Sequence, residues 1–255
     1  MIQLIRETLA KLSAGIAFYT CLPIPQDWNL DFHGIARFAP LIGLILGGIQ
    51  GLVDIGLQTL GMPVLTSSTV VIISGIALTG GLHLDGVMDA ADGLAVPDQK
   101  RRLEVMADST TGAFGAMSAI SLLLLKITAL TDLDSDRLLI LMGIAGWGRW
   151  GQLVAIARYP YLKLTGKGAF HKKAKYSIWA FLLGILLLLS LSLILIVLDP
   201  QNWLVGCGMA IGGIVIALLT GAWFNRCLGG HTGDTYGAVV EWTEALLLCI
   251  LVTLE

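Results

Sequence analysis

Seven acidic residues lie within or beside two glycine-rich stretches of a chain that is otherwise strongly apolar. The two stretches are residues 80–93 and 229–238. Carboxylates at membrane depth are energetically costly, so they usually mark a place where something polar or cationic is bound. We therefore look for function at these positions, which are Asp85, Asp89, Asp92, Asp108, Asp234, Glu241 and Glu244.

The first acidic cluster has the spacing of a single helical face. Asp85, Asp89 and Asp92 recur at i, i+4 and i+7, which places the three carboxylates on one side of a helix. Like charges this close repel each other unless a cation compensates them. Hard oxygen ligands with room for water and phosphate suit Mg²⁺ better than Zn²⁺. The alternative is an acidic helix end that only marks the membrane surface.

The remaining acids allow two interpretations each. Asp108 and Ser109 could cap the next helix, or the N-terminus of that helix could face an anionic group. Asp234, Glu241 and Glu244 share a helical face by their spacing. They could belong to the site or form salt bridges to nearby basic residues.

Three basic residues could bind phosphate groups: Lys126, Arg149 and Arg226. Arg149 lies in the middle of an apolar run, where an arginine must face a cavity or a carboxylate. It either pairs with an aspartate or binds a phosphate, because the planar guanidinium group can donate two parallel hydrogen bonds to phosphate oxygens. Arg226 could instead pair with the second acidic cluster. His83 and His231 are candidate bases or hydrogen-bond donors.

Carboxylates that bind a metal, together with buried cations, form a coherent site for phosphoryl transfer. The metal and an arginine would neutralise a pyrophosphate, while an acid or a histidine accepts a proton from an attacking hydroxyl. The chemistry of the residues does not name the substrate.

The elements that must position these residues are membrane helices. The chain has 255 residues, of which 56% are hydrophobic and 13% are charged, against about a quarter charged in soluble domains. The long unbroken apolar runs exclude a barrel and predict an all-α, polytopic membrane helical bundle, with a single catalytic domain over residues 1–255. Seven runs are long enough to cross the hydrocarbon core. They lie near residues 35–60, 55–84, 111–130, 136–157, 176–198, 203–225 and 238–254.

The stretch 4–19 is less apolar, because three charges interrupt it. It is either an eighth span or an amphipathic or re-entrant helix at the interface, and it lacks the layout of a signal peptide.

The four cysteines show no C-x-x-C spacing and are interpreted as packing residues. Gly43, Gly47 and Gly51 are predicted to allow close packing of helices.

The basic residues predict the orientation. Six of them lie in the loop 158–175, which we place in the cytoplasm: Arg158, Lys163, Lys167, Lys172, Lys173 and Lys175. Counting spans from this loop puts most of the 16 Lys and Arg residues on the same side, opposite short acidic loops. Both acidic clusters then lie at the cytoplasmic ends of their helices, in the cell (inner) membrane, where a soluble substrate can reach them.

The same positions carry motifs that resemble the integral-membrane cobalamin synthases, or adenosylcobinamide-GDP ribazoletransferases. The matching stretches are LPIP (22–25), GGLHLDG (80–86), Asp89 with Asp92-Gly93, MADS (106–109) with Gly112, and LGGHTGD (228–234) with Gly237-Ala238 and Glu241. They cover nearly the whole chain.

This resemblance implies Mg²⁺-dependent joining of adenosylcobinamide-GDP to α-ribazole, or to α-ribazole 5′-phosphate, with release of GMP. This is a late step in the synthesis of vitamin B12. We infer the roles of individual residues from this reaction. The metal ligands would be Asp85, Asp89, Asp92 and Asp108. The substrate contacts would be Asp108, Ser109, Lys126, Arg149, Arg226, Thr232 and Glu241. The catalytic residues would be Asp85, Asp89, His83, Asp234 and His231.

Two positions depart from the family pattern. Cys21 stands where the family often has a basic residue, and His231 stands where a neutral polar side chain is common. The second departure weakens the case for a histidine base.

Two other classes remain as alternatives. A CDP-alcohol phosphotransferase also has an Asp-rich metal site, but its signature carries an arginine after the first Asp-Gly pair, and here none follows residues 85–86. A cation- or proton-coupled transporter could use the acids as a relay, but transporters usually show internal repeats, and we find none. The expected partners are the small-molecule substrates and the lipid bilayer, with no nucleic acid. A homo-oligomer is left open.

Overall fold

A computed structural model describes residues 2–25, 28–134, 136–163, 171, 174 and 176–255. Lys167, Lys172, Lys173 and Lys175 of the predicted basic loop lie outside the described residues. In the described part, the regular elements are helices, together with one isolated β-bridge. The helices are α1 (Ile2–Tyr19), α2 (Ala39–Thr59), α3 (Val64–Leu78), α4 (Leu82–Ala95), α5 (Gln99–Val105), α6 (Ala113–Thr131), α7 (Arg137–Arg158), α8 (Ile178–Leu198), α9 (Trp203–Leu228) and α10 (Gly233–Val252).

Six described segments are long and apolar enough to cross a membrane. They are Ile35–Thr59, Ala113–Thr131, Arg137–Arg158, Ile178–Leu198, Pro200–Leu228 and Gly233–Val252. A seventh candidate is the pair α3 and α4, which is bent by 89°. The prediction of a polytopic helical bundle with about seven spans is therefore confirmed. Helix α1 is not among these segments.

The bend between α3 and α4 corrects the predicted position of the first acidic cluster. The chain turns at Gly80 and Gly81, whose φ angles of 61° and 73° are readily adopted only by glycine. With 15 residues, α3 is about 22 Å long, shorter than the roughly 30 Å of a hydrocarbon core. The aspartates therefore lie on the separate 14-residue helix α4 and not in the last turns of a straight transmembrane helix.

Helices α7 and α10 are the most buried spans of the bundle. Helix α7 packs against α2, α8, α9 and α10, while α10 also packs against α4 and α6. The contact between α2 and α7 depends on Gly43, Gly47 and Gly51. A Cβ atom at Gly43 or Gly47 would overlap the carbonyl group of Ala145 or Leu141. The packing role predicted for these glycines is confirmed.

The start of the basic loop is attached to the second glycine-rich stretch. The Leu162 amide donates to the carbonyl of His231 at 2.8 Å, and the His231 amide donates to the carbonyl of Pro160 at 2.8 Å. On the same side, Arg102 of α5 donates to the Cys227 carbonyl at 2.9 Å, near the C-terminus of α9. Both glycine-rich stretches and the described basic residues of these loops therefore share one end of the bundle, as the sequence predicts.

Candidate functional site

Helices α4 and α10 cross at two glycines. A Cβ atom on Gly86 would overlap the carbonyl oxygen of Asp234, and one on Gly237 would lie 2.9 Å from the Cα atom of His83. Only a residue without a side chain allows the two backbones to approach this closely. The crossing places the N-terminal half of α4 beside the first turn of α10, so acids that are far apart in sequence become neighbours.

We call Asp85, Asp89 and Asp234 the acidic group. Asp85 is exposed, whereas Asp89 and Asp234 are partly buried. The charges of Asp85 and Asp234 both act on Asp89, and the charge of Lys163 opposes them. The Lys163 ammonium donates to Asp234 Oδ2 at 2.8 Å, as the salt-bridge alternative for Asp234 predicted. Among the described residues, none donates a hydrogen bond to Asp85 or Asp89.

Asp92, the third aspartate of α4, caps a neighbouring helix. Its Oδ2 atom accepts from the Gly112 amide at 2.7 Å, and its Oδ1 atom accepts from the Gly115 amide at 2.8 Å. These bonds satisfy two N–H groups at the start of α6, where a negative charge is also favourable. The structure therefore gives Asp92 a structural role, and its position does not support the predicted role of a metal ligand.

Asp108 and Ser109 lie on an exposed loop before α6. Asp108 Oδ1 accepts from the Thr110 amide at 2.9 Å and from its hydroxyl at 2.8 Å. These bonds hold the Asp108 pKa below its ordinary value. Helix α6 begins only at Ala113, and no described contact joins Asp108 to the acidic group. The capping prediction for Asp108 is therefore wrong, because Gly112 is the N-cap of α6, and the described contacts give no support to Asp108 as a metal ligand.

The predicted set of four aspartate ligands is not assembled. In the part of the chain that the structure describes, no three His, Cys, Asp or Glu side chains are arranged to hold a metal ion by themselves. Mg²⁺, however, is commonly held by one or two carboxylates, with water and substrate phosphate as its other ligands. Asp85 and Asp89 fit that smaller role, because no described residue occupies their oxygen atoms.

Lys126, Arg149, Glu241 and Glu244 form a buried network between α6, α7 and α10. Lys126 Nζ lies 2.9 Å from Glu241 Oε2 and 2.6 Å from Glu244 Oε2. Arg149 Nη1 donates to Glu244 Oε1 at 2.9 Å and to the Ala145 carbonyl at 3.0 Å. Two positive and two negative charges thus compensate each other inside the bundle. This pairing gives no support to the predicted substrate contacts of Lys126, Arg149 and Glu241. The partner of Arg149 is a glutamate, not an aspartate.

Arg226 lies on the other side of α4. It is exposed in the last turn of α9 and lines an apolar groove of about 650 Å³ with Trp223 and Trp242. Val87 and Leu94 also line this groove, which shows that it runs along the face of α4 opposite the acidic group. The predicted substrate contact by Arg226 is therefore not supported by its position.

His231 is a structural residue and not a free base. Its Nδ1 atom lies 3.1 Å from the Thr235 hydroxyl, and its Nε2 atom lies 3.1 Å from the Gly221 carbonyl. The ring stacks on Tyr159 and Tyr236. Burial lowers the pKa of His231 to about 4. Because both ring nitrogens are occupied, the structure does not support the catalytic role predicted for this residue.

Thr232 is fully buried and caps α10. Its hydroxyl oxygen accepts from the Thr235 amide at 3.3 Å, and its hydroxyl group donates to Asp234 Oδ2 at 3.1 Å. This hydrogen bond helps to fix the orientation of the Asp234 carboxylate. Its burial gives no support to the direct contact of Thr232 with substrate that the sequence predicted.

His83 faces a cavity of about 210 Å³ where α1, α4, α7 and α10 meet. The side chain is only 1% exposed, yet neither ring nitrogen has a hydrogen-bond partner among the described residues. Gln152, also in the cavity wall and 4% exposed, has an unpartnered Oε1 atom. We call this space the aromatic cavity, because its other lining residues include Phe18, Tyr19, Tyr161, His171 and Tyr236, together with Asp85, Lys163 and Asp234.

A second, wider cavity of about 790 Å³ adjoins the first. It is lined by the end of α1, the turn before α4 and residues such as Cys21, Phe32 and Met88. We call it the wide cavity. Asp85 lines both cavities, so one carboxylate of the acidic group stands at their junction.

Sequence reasoning did not single out Tyr19, Gln152 or Tyr236, and it treated Lys163 only as part of the basic loop. Gln152 could have been identified from the sequence, because it is a polar residue in an apolar span and lies about one helical turn after Arg149. Tyr236 lies within the second glycine-rich stretch. Tyr19 gave no signal, because its position depends on how α1 packs on the bundle.

Fold and site together define a multi-pass membrane protein whose acidic group and two adjoining cavities lie at one end. The family model for cobalamin-5-phosphate synthase matches residues 11–252. The chain therefore belongs to the cobalamin-5-phosphate synthase family and is an enzyme of cobalamin synthesis, not a CDP-alcohol phosphotransferase or a transporter.

Relatives named adenosylcobinamide-GDP ribazoletransferase are similar over almost the full length. The protein of Trichormus variabilis is 57% identical over 251 residues, which cover 98% of this chain and all of the relative. The protein of Synechococcus elongatus is 49% identical over 96% of both chains, and that of Thermosynechococcus vestitus is 50% identical over 92% of both. No solved structure matches the chain.

Proposed function

We propose that this enzyme joins adenosylcobinamide-GDP to α-ribazole, or to α-ribazole 5′-phosphate, with release of GMP, and that it requires Mg²⁺. The relatives support the transferase reaction through their names. The observation in the structure that carries the proposal is the acidic group beside Lys163, at the junction of two cavities. A transfer between two substrates needs two adjoining binding spaces and a centre that handles phosphate charge.

The free carboxylates support the Mg²⁺ requirement. Asp85 and Asp89 would hold the ion, which would supply positive charge to stabilise the negative charge that develops on phosphate during transfer. Without a bound cation, the acidic group would repel a diphosphate. Asp92 and Asp108 are left out of this ligand set, because Asp92 caps α6 and Asp108 lies on the exposed loop.

The remaining residues orient the reacting groups. In the proposed step, a ribose hydroxyl oxygen forms a bond to the phosphorus attached to cobinamide, and the bond from that phosphorus to the bridging oxygen breaks. GMP leaves with the electron pair. Asp234 Oδ1 accepts the hydroxyl proton, while Lys163 and Thr232 hold Oδ2 and fix the orientation of the carboxylate. Phosphoryl transfer depends mainly on such positioning and charge compensation.

We also propose that the site faces the cytoplasm from the inner membrane. The excess of Lys and Arg at the end of the bundle that holds the acidic group supports this orientation. Labelling of Cys21 in sealed inner-membrane vesicles of known sidedness tests it. Cys21 is exposed beside the wide cavity, so an impermeant thiol reagent should reach it only from the cytoplasmic side.

One assay tests the reaction. Purified full-length protein in detergent or liposomes is supplied with adenosylcobinamide-GDP, Mg²⁺ and either α-ribazole or its 5′-phosphate, and GMP release is measured. We expect GMP with at least one acceptor and its loss after chelation with EDTA, restored by added Mg²⁺. No GMP with either acceptor would overturn the proposal, and undiminished release in EDTA would overturn its metal requirement.

A further inference from the structure

We infer that the aromatic cavity binds the acceptor nucleoside and that the wide cavity admits the corrinoid donor, so that the two substrates meet at Asp85. This inference rests on the proposed function and assigns its substrates to separate places. The size, lining and unpartnered polar atoms of the two cavities carry the argument.

The volumes of the two cavities indicate which substrate each cavity can accommodate. Pockets for drug-sized ligands typically have volumes of about 300 to 1,000 Å³. The aromatic cavity, with about 210 Å³, is too small for a corrin macrocycle but suits a bicyclic aromatic base. The wide cavity has about 790 Å³ and is the space in which part of a much larger donor can enter.

The lining of the aromatic cavity suits a planar base. Tyr19 and His171 stack with an interplanar angle of 11°, and Tyr161 and Tyr236 stack with an angle of 25°. All four rings line the cavity. Flat, apolar faces with polar edges bind heteroaromatic rings through stacking, and the benzimidazole of α-ribazole is such a ring.

Two residues of the cavity wall carry buried polar atoms that have no hydrogen-bond partner in the part of the chain that the structure describes, and we infer that a polar ligand provides these partners. A buried polar atom without a hydrogen bond is destabilising, and His83 and Gln152 each contribute such atoms. Gln152 Oε1 can only accept, so it requires a donor such as a ribose hydroxyl. Neutral His83 offers one donor and one acceptor, which match the free ring nitrogen of the base and a second hydroxyl.

The charged residues of the cavity orient the nucleoside. Asp85, Lys163 and Asp234 are the lining residues that belong to the proposed reaction centre. The reacting hydroxyl of the ribose must therefore face them, with the base among the aromatic rings. Because Asp85 also lines the wide cavity, the diphosphate of the donor reaches the same carboxylate from the other side.

Binding of α-ribazole alone tests the acceptor half of this inference. Isothermal titration of the full-length protein in detergent, without donor or Mg²⁺, should show binding that His83→Gln and Gln152→Leu weaken at least tenfold. The matched control is Thr243→Val, which removes a buried hydroxyl of α10 that bonds to Thr220 outside the cavity. Free 5,6-dimethylbenzimidazole should compete with α-ribazole on the wild-type protein, a readout that needs no variant.

Steady-state kinetics test the separation of substrates. His83→Gln and Gln152→Leu should raise the KM for α-ribazole at least tenfold and leave that for adenosylcobinamide-GDP within twofold. Cys21→Trp, which fills part of the wide cavity from an exposed position, should raise only the KM for the donor. Thermal unfolding of each variant identifies misfolded protein.

The outcomes separate this inference from the proposed reaction. If wild-type protein releases GMP but the cavity variants raise both KM values equally or neither, the assignment of cavities is wrong while the reaction stands. Failure of α-ribazole to bind, or of the free base to compete, also overturns the assignment. If α-ribazole binds with the expected pattern but no GMP forms, the proposed reaction is wrong, while the assignment of the aromatic cavity to the nucleoside stands.

Discussion

Gly86 of α4 lies directly against the carbonyl oxygen of Asp234, at the first turn of α10, with no space for a Cβ atom between them. This contact joins the two glycine-rich stretches into one site. A change of the distance between α4 and α10 would move Asp85 and Asp89 relative to Asp234 without altering any of the three side chains.

Gly86→Ala should therefore impair both packing and catalysis. The added methyl group forces the two helices apart, which we expect to cost about 1–3 kcal/mol of stability and to lower kcat for GMP release by at least about tenfold. Gly56→Ala is the matched control, because nothing lies within 4 Å of a Cβ atom at that helical position. Equal activity of the two variants would contradict the role of the crossing.

Asp89→Asn should abolish turnover without destabilising the protein. Asp89 accepts no hydrogen bond from the described residues, and it experiences the negative charges of Asp85 and Asp234. The substitution relieves repulsion but removes a proposed Mg²⁺ ligand. We expect kcat to fall at least about 100-fold with an unchanged or higher unfolding temperature. Retained activity at saturating Mg²⁺ would remove Asp89 from the site.

Asp92→Asn should show the opposite pattern. The amide keeps one acceptor oxygen for two N–H donors and loses the charge at the N-terminus of α6. We expect a loss of about 1 kcal/mol of stability, measured by thermal unfolding, while the Mg²⁺ concentration for half-maximal activity stays the same. A large increase in that concentration would restore Asp92 to the set of metal ligands.

Glu244→Gln should be strongly destabilising. The substitution leaves Lys126 and Arg149 with Glu241 as their remaining acidic partner in the network, and breaking one member of a buried ion pair typically costs about 3–5 kcal/mol. The double variant Lys126→Met with Glu241→Gln keeps the remaining pair, Arg149 and Glu244, balanced. It should therefore unfold at a higher temperature than Lys126→Met alone. If the double variant is no more stable than that single variant, the charges are not coupled as the distances imply.

Stability should fall as the pH drops below about 6.5, because His231 is buried in its neutral form. Its pKa is about 4 in the folded protein, against an ordinary value of 6.5. Between these values the unfolded chain binds a proton that the folded chain does not, so stability rises with pH across this window. The unfolding temperature should decrease from pH 7.5 to pH 5, and His231→Gln should flatten that decrease. An equal slope in the variant would assign the effect to other groups.

The sequence by itself determined the membrane bundle, the end of the bundle at which the acids lie and the family. Apolar runs of sufficient length favour the hydrocarbon core of a bilayer, and there they must be helical, because their backbone groups need internal hydrogen bonds. The motifs that carry the family resemblance are local, so a single chain displays them completely. Even the close packing at Gly43 and Gly47 followed from residue type and spacing.

Only the tertiary structure decided which charged residues are free and which are structural. Asp85 and Asp92 have the same chemistry and share a helical face, yet the amides of Gly112 and Gly115 occupy Asp92 alone. Lys126 finds Glu244 across 118 positions of the chain. The hydrogen-bond and ion-pair partners of a charged group are the groups within a few ångströms of it, and the packing of the helices determines which groups these are. Spacing along one helix contains no information about the helix that packs against it.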